Sequence, residues 1–190
     1  MSDLMMAKNA IAEAVKQGLV ADAQLFQKFG KDISFFHRKQ VVLGTTQIPT
    51  VEFFTEAVDN LVSNLGKGGS VPAPFLCKAA SISIWTKGAV TEGESYDLLE
   101  VLKGSRFYQL RDSDRVIDFS TEAIYEIDQL VAGGTSTANT ALSVRSKMKP
   151  INGQLIWIPD NIFKGYMDYP VLAAALTVEV AVQLHGLILK

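Results

Sequence analysis

Hydrophobic positions along this chain follow two different periods, and the change of period divides it. In residues 1–30, Leu4, Ala7, Ile11, Val15 and Leu19 recur every three or four positions, which predicts one apolar helical face. Gly18 is a candidate stop for that helix. A second short turn is predicted over 22–29, with Asp22 as N-cap, Leu25, Phe26 and Phe29 as its apolar face, and Gly30 as its end. Short isolated helices are marginal in water, so this arm must pack on something. It packs either on the domain's own core or on a neighbour or inner layer, and both readings stand.

Beyond the arm, β-branched and aromatic residues gather in short runs separated by turn residues. Strands are predicted at 33–42, 50–55, 75–85, 107–110, 116–119, 141–145, 155–158 and 177–189. The last is the clearest. Val178, Val180, Val182, Leu184 and Ile188 fall on one face, and Glu179, Ala181, Gln183 and His185 on the other. Thirteen residues would span roughly 43 Å, so this strand must be central or covered to avoid a long apolar edge. Gly186 marks a candidate bulge within it. Two segments interrupt the β pattern. Residues 120–131 place Ala123, Ile127, Leu130 and Val131 at helical spacing after a polar start at Ser120 and Thr121, which predicts a short helix in a loop, with a strand over 123–127 as the alternative. Val58, Leu61, Val62 and Leu65 are also helically spaced. No strand–helix alternation of the doubly wound kind is visible. The expectation is a mainly β chain, with an N-terminal helical arm at 1–30 and a single sandwich or barrel domain at 31–190.

Composition narrows the function. Lysine plus arginine number 18 and aspartate plus glutamate 20, a net charge of −2. A domain that works mainly by binding nucleic acid carries a basic excess, so no specific nucleic-acid partner is expected. The cluster Phe35, Phe36, His37, Arg38, Lys39 is the one local basic and aromatic run, and a barrel strand is the commoner reading of it. The first twenty residues, interrupted by charges, lack a signal-peptide core, and no uncharged apolar run reaches membrane-spanning length.

Candidate chemistry is sparse. His37 and His185 are the only histidines; both read as ordinary strand residues, and together they fall short of a cupin-like metal site. Cys77 lies in an apolar run and reads as a small buried hydrophobe rather than a nucleophile. Gly66, Lys67, Gly68, Gly69 and Ser70 lack phosphate-loop spacing. Glu92 with Glu94, and Asp112 with Asp114, carry oxygens that suit calcium but lack an EF-hand pattern; solvated turns are the expectation, with Arg111 and Arg115 pointing to a hairpin at the second. No catalytic, cofactor or metal residue is assigned, and a β-rich enzyme is the least supported class.

Residues 68–76, with Pro72 and Pro74 before Phe75, followed by Ala79, Ala80, Ser81, Ile82, Ser83, Ile84 and Trp85, resemble the proline-marked opening of a long early strand in vertical single jelly-roll capsid proteins. These belong to tailless icosahedral viruses with an internal membrane. The end of the chain, Pro170 to Ala174 and then 177–189, is similar to the long closing strand of that family, and 50–54 fits an early barrel strand. The resemblance spans residues 40–190 and rests on texture. It implies a single jelly-roll fold and a non-catalytic shell subunit that self-assembles or co-assembles with other capsid proteins. It further implies assembly in host cytoplasm, residence in the virion, and an arm at 1–30 that meets a neighbour, an inner layer or the membrane. The charge balance departs from the acidic proteins of halophilic members, and the arm is longer than a minimal barrel needs. The competing reading is a ligand- or receptor-binding jelly roll, such as a virion spike or carbohydrate-binding domain, for which Trp85 and Trp157 are the available aromatics.

Overall fold

A computed structural model describes residues 12, 32–46, 50–55, 62–66, 69–86, 92–111, 114–123, 125–129, 143–146, 148–157 and 164–188. The expected arm lies outside this set apart from Ala12, which is helical and exposed. Residues 22–29 also lie outside it.

Ten strands are described: β1 (Asp32–Leu43), β2 (Val51–Phe53), β3 (Phe75–Trp85), β4 (Arg106–Arg111), β5 (Asp114–Ser120), β6 (Tyr125–Gln129), β7 (Ser143–Ser146), β8 (Lys149–Trp157), β9 (Gly165–Asp168) and β10 (Leu176–Ile188). Among the described residues one helix of more than a single turn, α1 (Glu92–Gly104), joins β3 to β4. All pairings are antiparallel, and the strands form two sheets. The first runs β1-β10-β3-β7-β6, with β8 also on β3; the second runs β2-β9-β4-β5. β7 lies along Ser83–Trp85 of β3 and β8 along Phe75–Ala80, so the two occupy one lane beside it.

β10 is the central strand of the first sheet, as its length required. It pairs with β1 over twelve residues without a shift and with β3 on its other side. Val178, Val180, Val182 and Leu184 are fully buried. Each such side chain stabilises the fold by about 1.5–3 kcal/mol relative to exposure. The β3–β10 register shifts between His185 and Gly186, because Lys78 is an extra residue on β3. This bulge reverses the parity of β3: Phe75 and Cys77 face the core before it, and Ala80, Ile82 and Ile84 after it. A Cβ on Gly186 would lie 1.9 Å from the Leu76 carbonyl oxygen, so only glycine fits there.

The facing sheet contributes Phe53, Met167, Phe107, Ile117 and Phe119 to the same core. Helix α1 adds Leu98, Val101 and Leu102, spaced for one face, while Tyr96 on the far side is exposed. Its last turn abuts Pro170, where a Cβ on Gly104 would come within 2.9 Å of the proline Cβ.

Four expectations need correction. Residues 120–131 form no helix in their described part: a 3-10 turn at Thr121–Ala123 leads into β6. The polar start that read as a helix cap serves α1 instead. The Thr121 hydroxyl shares its hydrogen between the carbonyl oxygens of Leu102, in the last turn of α1, and Ser105, which also accepts the Thr121 N–H. Glu92 and Glu94 open α1 and are not in a turn. Residues 62–66 are not helical; Ser63 makes a bridge to His37 at the edge of β1, and Val58 and Leu61 lie outside the described residues. The polar face of β10 is less exposed than alternation implies, since Glu179 and Ala181 are buried. The Arg38 guanidinium lies 5.3 Å from the Trp85 ring centre. Arg38 pairs with Ala181 in register, and Trp85 with Glu179, so the contact spans β10 above a small side chain. β9 was not foreseen, and β4 and β5 pair up to Arg111↔Asp114 as the expected hairpin.

Candidate interaction surfaces

Alternation places two sets of polar side chains on the outer faces of the sheets. On the first sheet, His185 of β10 stands between Ser34 of β1 and Ser81 of β3. The Ser34 hydroxyl lies 2.8 Å from Nδ1 and the Ser81 hydroxyl 2.8 Å from Nε2. One imidazole thus ties three adjacent strands. Burial holds its pKa below the ordinary histidine value, so at neutral pH the ring is uncharged, with one nitrogen donating and the other accepting. Asp32, two residues before Ser34 on β1, is 89% exposed and pairs with Lys78 at 4.0 Å. Among the described residues no carboxylate orients the ring, so the serine–histidine contacts act as a cross-strand clamp.

On the second sheet, Glu52, Tyr166, Tyr108 and Asp118 form one register row across β2, β9, β4 and β5. The tyrosine rings stack with centres 5.4 Å apart, and the Arg115 guanidinium covers Tyr108 at 4.2 Å. Arg106 clamps Asp118 through two bonds of 2.6 and 2.7 Å, with Arg115 adding a third at 3.2 Å. The Arg106 hydrogen bonds hold the Asp118 carboxyl below the usual carboxylate range. Lys164 pairs with Glu52 at 2.7 Å, and the Thr50 hydroxyl donates to Asp168 at 2.6 Å. Positive and negative groups are matched inside the sheet, and the Tyr108 ring is covered by Tyr166 and Arg115. Such a face is well suited to solvent or to a polar, shape-matched neighbour, and less suited to stacking a sugar ring.

The residues weighed from sequence fall elsewhere. His37 is buried on the inner face of β1, between the edges of the Phe53 and Phe54 rings. The Phe35–Lys39 run does not make a basic patch: Phe35 and His37 face inward and Arg38 outward, and the Lys39 ammonium donates to the Glu52 carbonyl. Cys77 is a buried free thiol whose pKa burial pushes up. Trp157 is core, and Trp85 is half-buried under Arg38. Asp114 starts β5, and Asp112 lies outside the described residues. Within the described residues no three His, Cys, Asp or Glu side chains gather as a metal site, and no helix is long and apolar enough to cross a membrane. Tyr108, Tyr166, Ser34 and Ser81 were not singled out from sequence, because each is far from its partners along the chain.

No protein-family model matches this sequence, and no curated protein matches it.

Proposed function

We propose that this chain is a jelly-roll shell subunit: a non-catalytic capsid protein that assembles with copies of itself, or with other capsid proteins, into an icosahedral virion. The strand order carries the reading. A double-sheet jelly roll joins two Greek keys, dealing its eight strands between two sheets so that sequence neighbours sit on opposite sides. Here strands 1, 10, 3, 7, 8 and 6 lie together and strands 2, 9, 4 and 5 opposite, so the chain changes sheet at every step but β4 to β5, β6 to β7 and β7 to β8. The reading also rests on the proline-marked opening of β3 and on β10 as a long central strand at the end of the described chain. Fold by itself does not define function. The surfaces add support: outer-face charges are paired within the sheets, and Tyr96, Val42, Met148 and Val171 remain exposed as apolar contact points. In this reading the arm at 1–30 joins a neighbouring subunit, an inner layer or the membrane beneath the shell.

Sedimentation and electron microscopy of the purified full chain, at rising concentration, test it. Closed particles or large uniform oligomers are expected. Deleting residues 1–30 should leave the barrel folded and abolish assembly. A chain that stays monomeric at every concentration, alone and with its co-expressed shell partners, and binds glycans in an array, would replace this reading with the binding-module alternative.

A further inference from the structure

We propose that His37 is an acid-sensitive latch that holds the corner between the two sheets and lets it go on protonation. The corner lies where β2 ends. The Phe54 N–H donates to His37 Nδ1 at 2.8 Å, linking β1 of one sheet to the end of β2 in the other. Phe54 has φ 61°, the only positive φ at a non-glycine among the described residues. A bulky side chain is disfavoured there, so the conformation persists only because its surroundings impose it. They do so from both sides. His37 takes the N–H, and the Phe54 carbonyl is so close to Gly69 that a Cβ there would lie 2.4 Å from its oxygen. The backbone of His37 also bridges to Ser63, flanked by bonds from the Arg38 N–H to the Val62 carbonyl and the Asn64 N–H to the Phe36 carbonyl. The His37 ring therefore holds the end of β2, while the residues on either side of it, Phe36 and Arg38, hold residues 62–66 through their backbone.

Nδ1 is an acceptor in this arrangement. A proton added there becomes a donor pointing at another donor, so the bond to Phe54 is lost outright, unlike the His185 contacts, whose serine hydroxyls can rotate to accept. The charged group beside His37 on the inner face, Lys39, opposes protonation. On β1, Lys39 lies on the same inner face, and Arg38 points to the other face over Trp85. On β2, the Glu52 carboxylate is engaged by Lys164. Residues 62–66 bring no charge, and the β10 partner is Val182. Burial and then Lys39 hold the His37 pKa below its ordinary value. The unfolded chain takes the proton at about pH 6.5, before the folded one does. The latch therefore contributes fully above that pH and is lost as the pH falls through the lower folded value.

Amide exchange on the full chain at about pH 7.5 and about pH 5, corrected for intrinsic rates, tests this. Protection of 50–55 should fall by about tenfold or more in acid while that of 176–188 holds. In His37→Gln, whose side-chain oxygen can accept the same N–H without titrating, protection should not change with pH. His185→Gln should behave as the wild type. Unchanged wild-type protection, acid loss in His37→Gln equal to the wild type, or abolition of the effect by His185→Gln would overturn the proposal. Should His37→Gln not fold, imidazole NMR of the wild type decides: His37 must titrate together with the loss of Phe54 amide protection, and titration without that loss refutes the latch.

Discussion

Replacing Gln109 with methionine should make the protein more stable. Gln109 is on the inner face of β4, in register with Ile117 on β5 and Gly165 on β9, and its side chain has no exposed surface. Among the described residues neither its Nε2 nor its Oε1 has a hydrogen-bond partner. A buried polar group without a partner costs about 1–3 kcal/mol, and two such atoms share one side chain here. Methionine keeps the unbranched reach of glutamine and adds no donor or acceptor. Relief of the amide desolvation should exceed the small packing change, for a net gain of about 1–3 kcal/mol. At about 2–4 °C per kcal/mol for a chain of this size, Tm should rise by roughly 2–12 °C. Urea unfolding should show a higher midpoint with an unchanged slope. A loss of more than about 1 kcal/mol would refute the reasoning, because it would mean that an ordered water or a small polar ligand satisfies the amide in the folded protein.

Val180→Asp should abolish soluble folded protein, since it sets a carboxylate in the fully buried centre of β10 at a cost of several kcal/mol; an unchanged melting curve would refute the inward assignment of that strand. Gly186→Ala should destabilise by about 1–3 kcal/mol through overpacking at the bulge, and equilibrium denaturation with no change in midpoint would show that the bulge is not as tight as its geometry.

Much of the strand pattern was legible along the chain. Alternation predicted the buried face of β10, and the limits of β3 coincide with the apolar run from Phe75 to Trp85. Both follow from local period, which a strand expresses wherever it lies, provided that one face is buried. The hairpin of β4 and β5 was legible for the same reason, its turn being short and flanked by alternating residues. α1 was missed because its buried stripe of Leu98, Val101 and Leu102 is brief, and because Glu92 and Glu94 on either side of Gly93 read as a solvated turn although an acidic first turn favours a helix. β6 was misread because Thr121, which looks like a cap for its own helix, caps another. Long-range pairing decided the rest. That β10 lies between β1 and β3, that Lys78 bulges and reverses the parity of β3, that His185 meets two serines, and that His37 holds Phe54 all depend on segments far apart in sequence. A side-chain period records which face of a strand avoids water. It carries no record of the neighbouring strand, because that choice rests on closing long loops and matching whole faces, and only the folded chain brings those together.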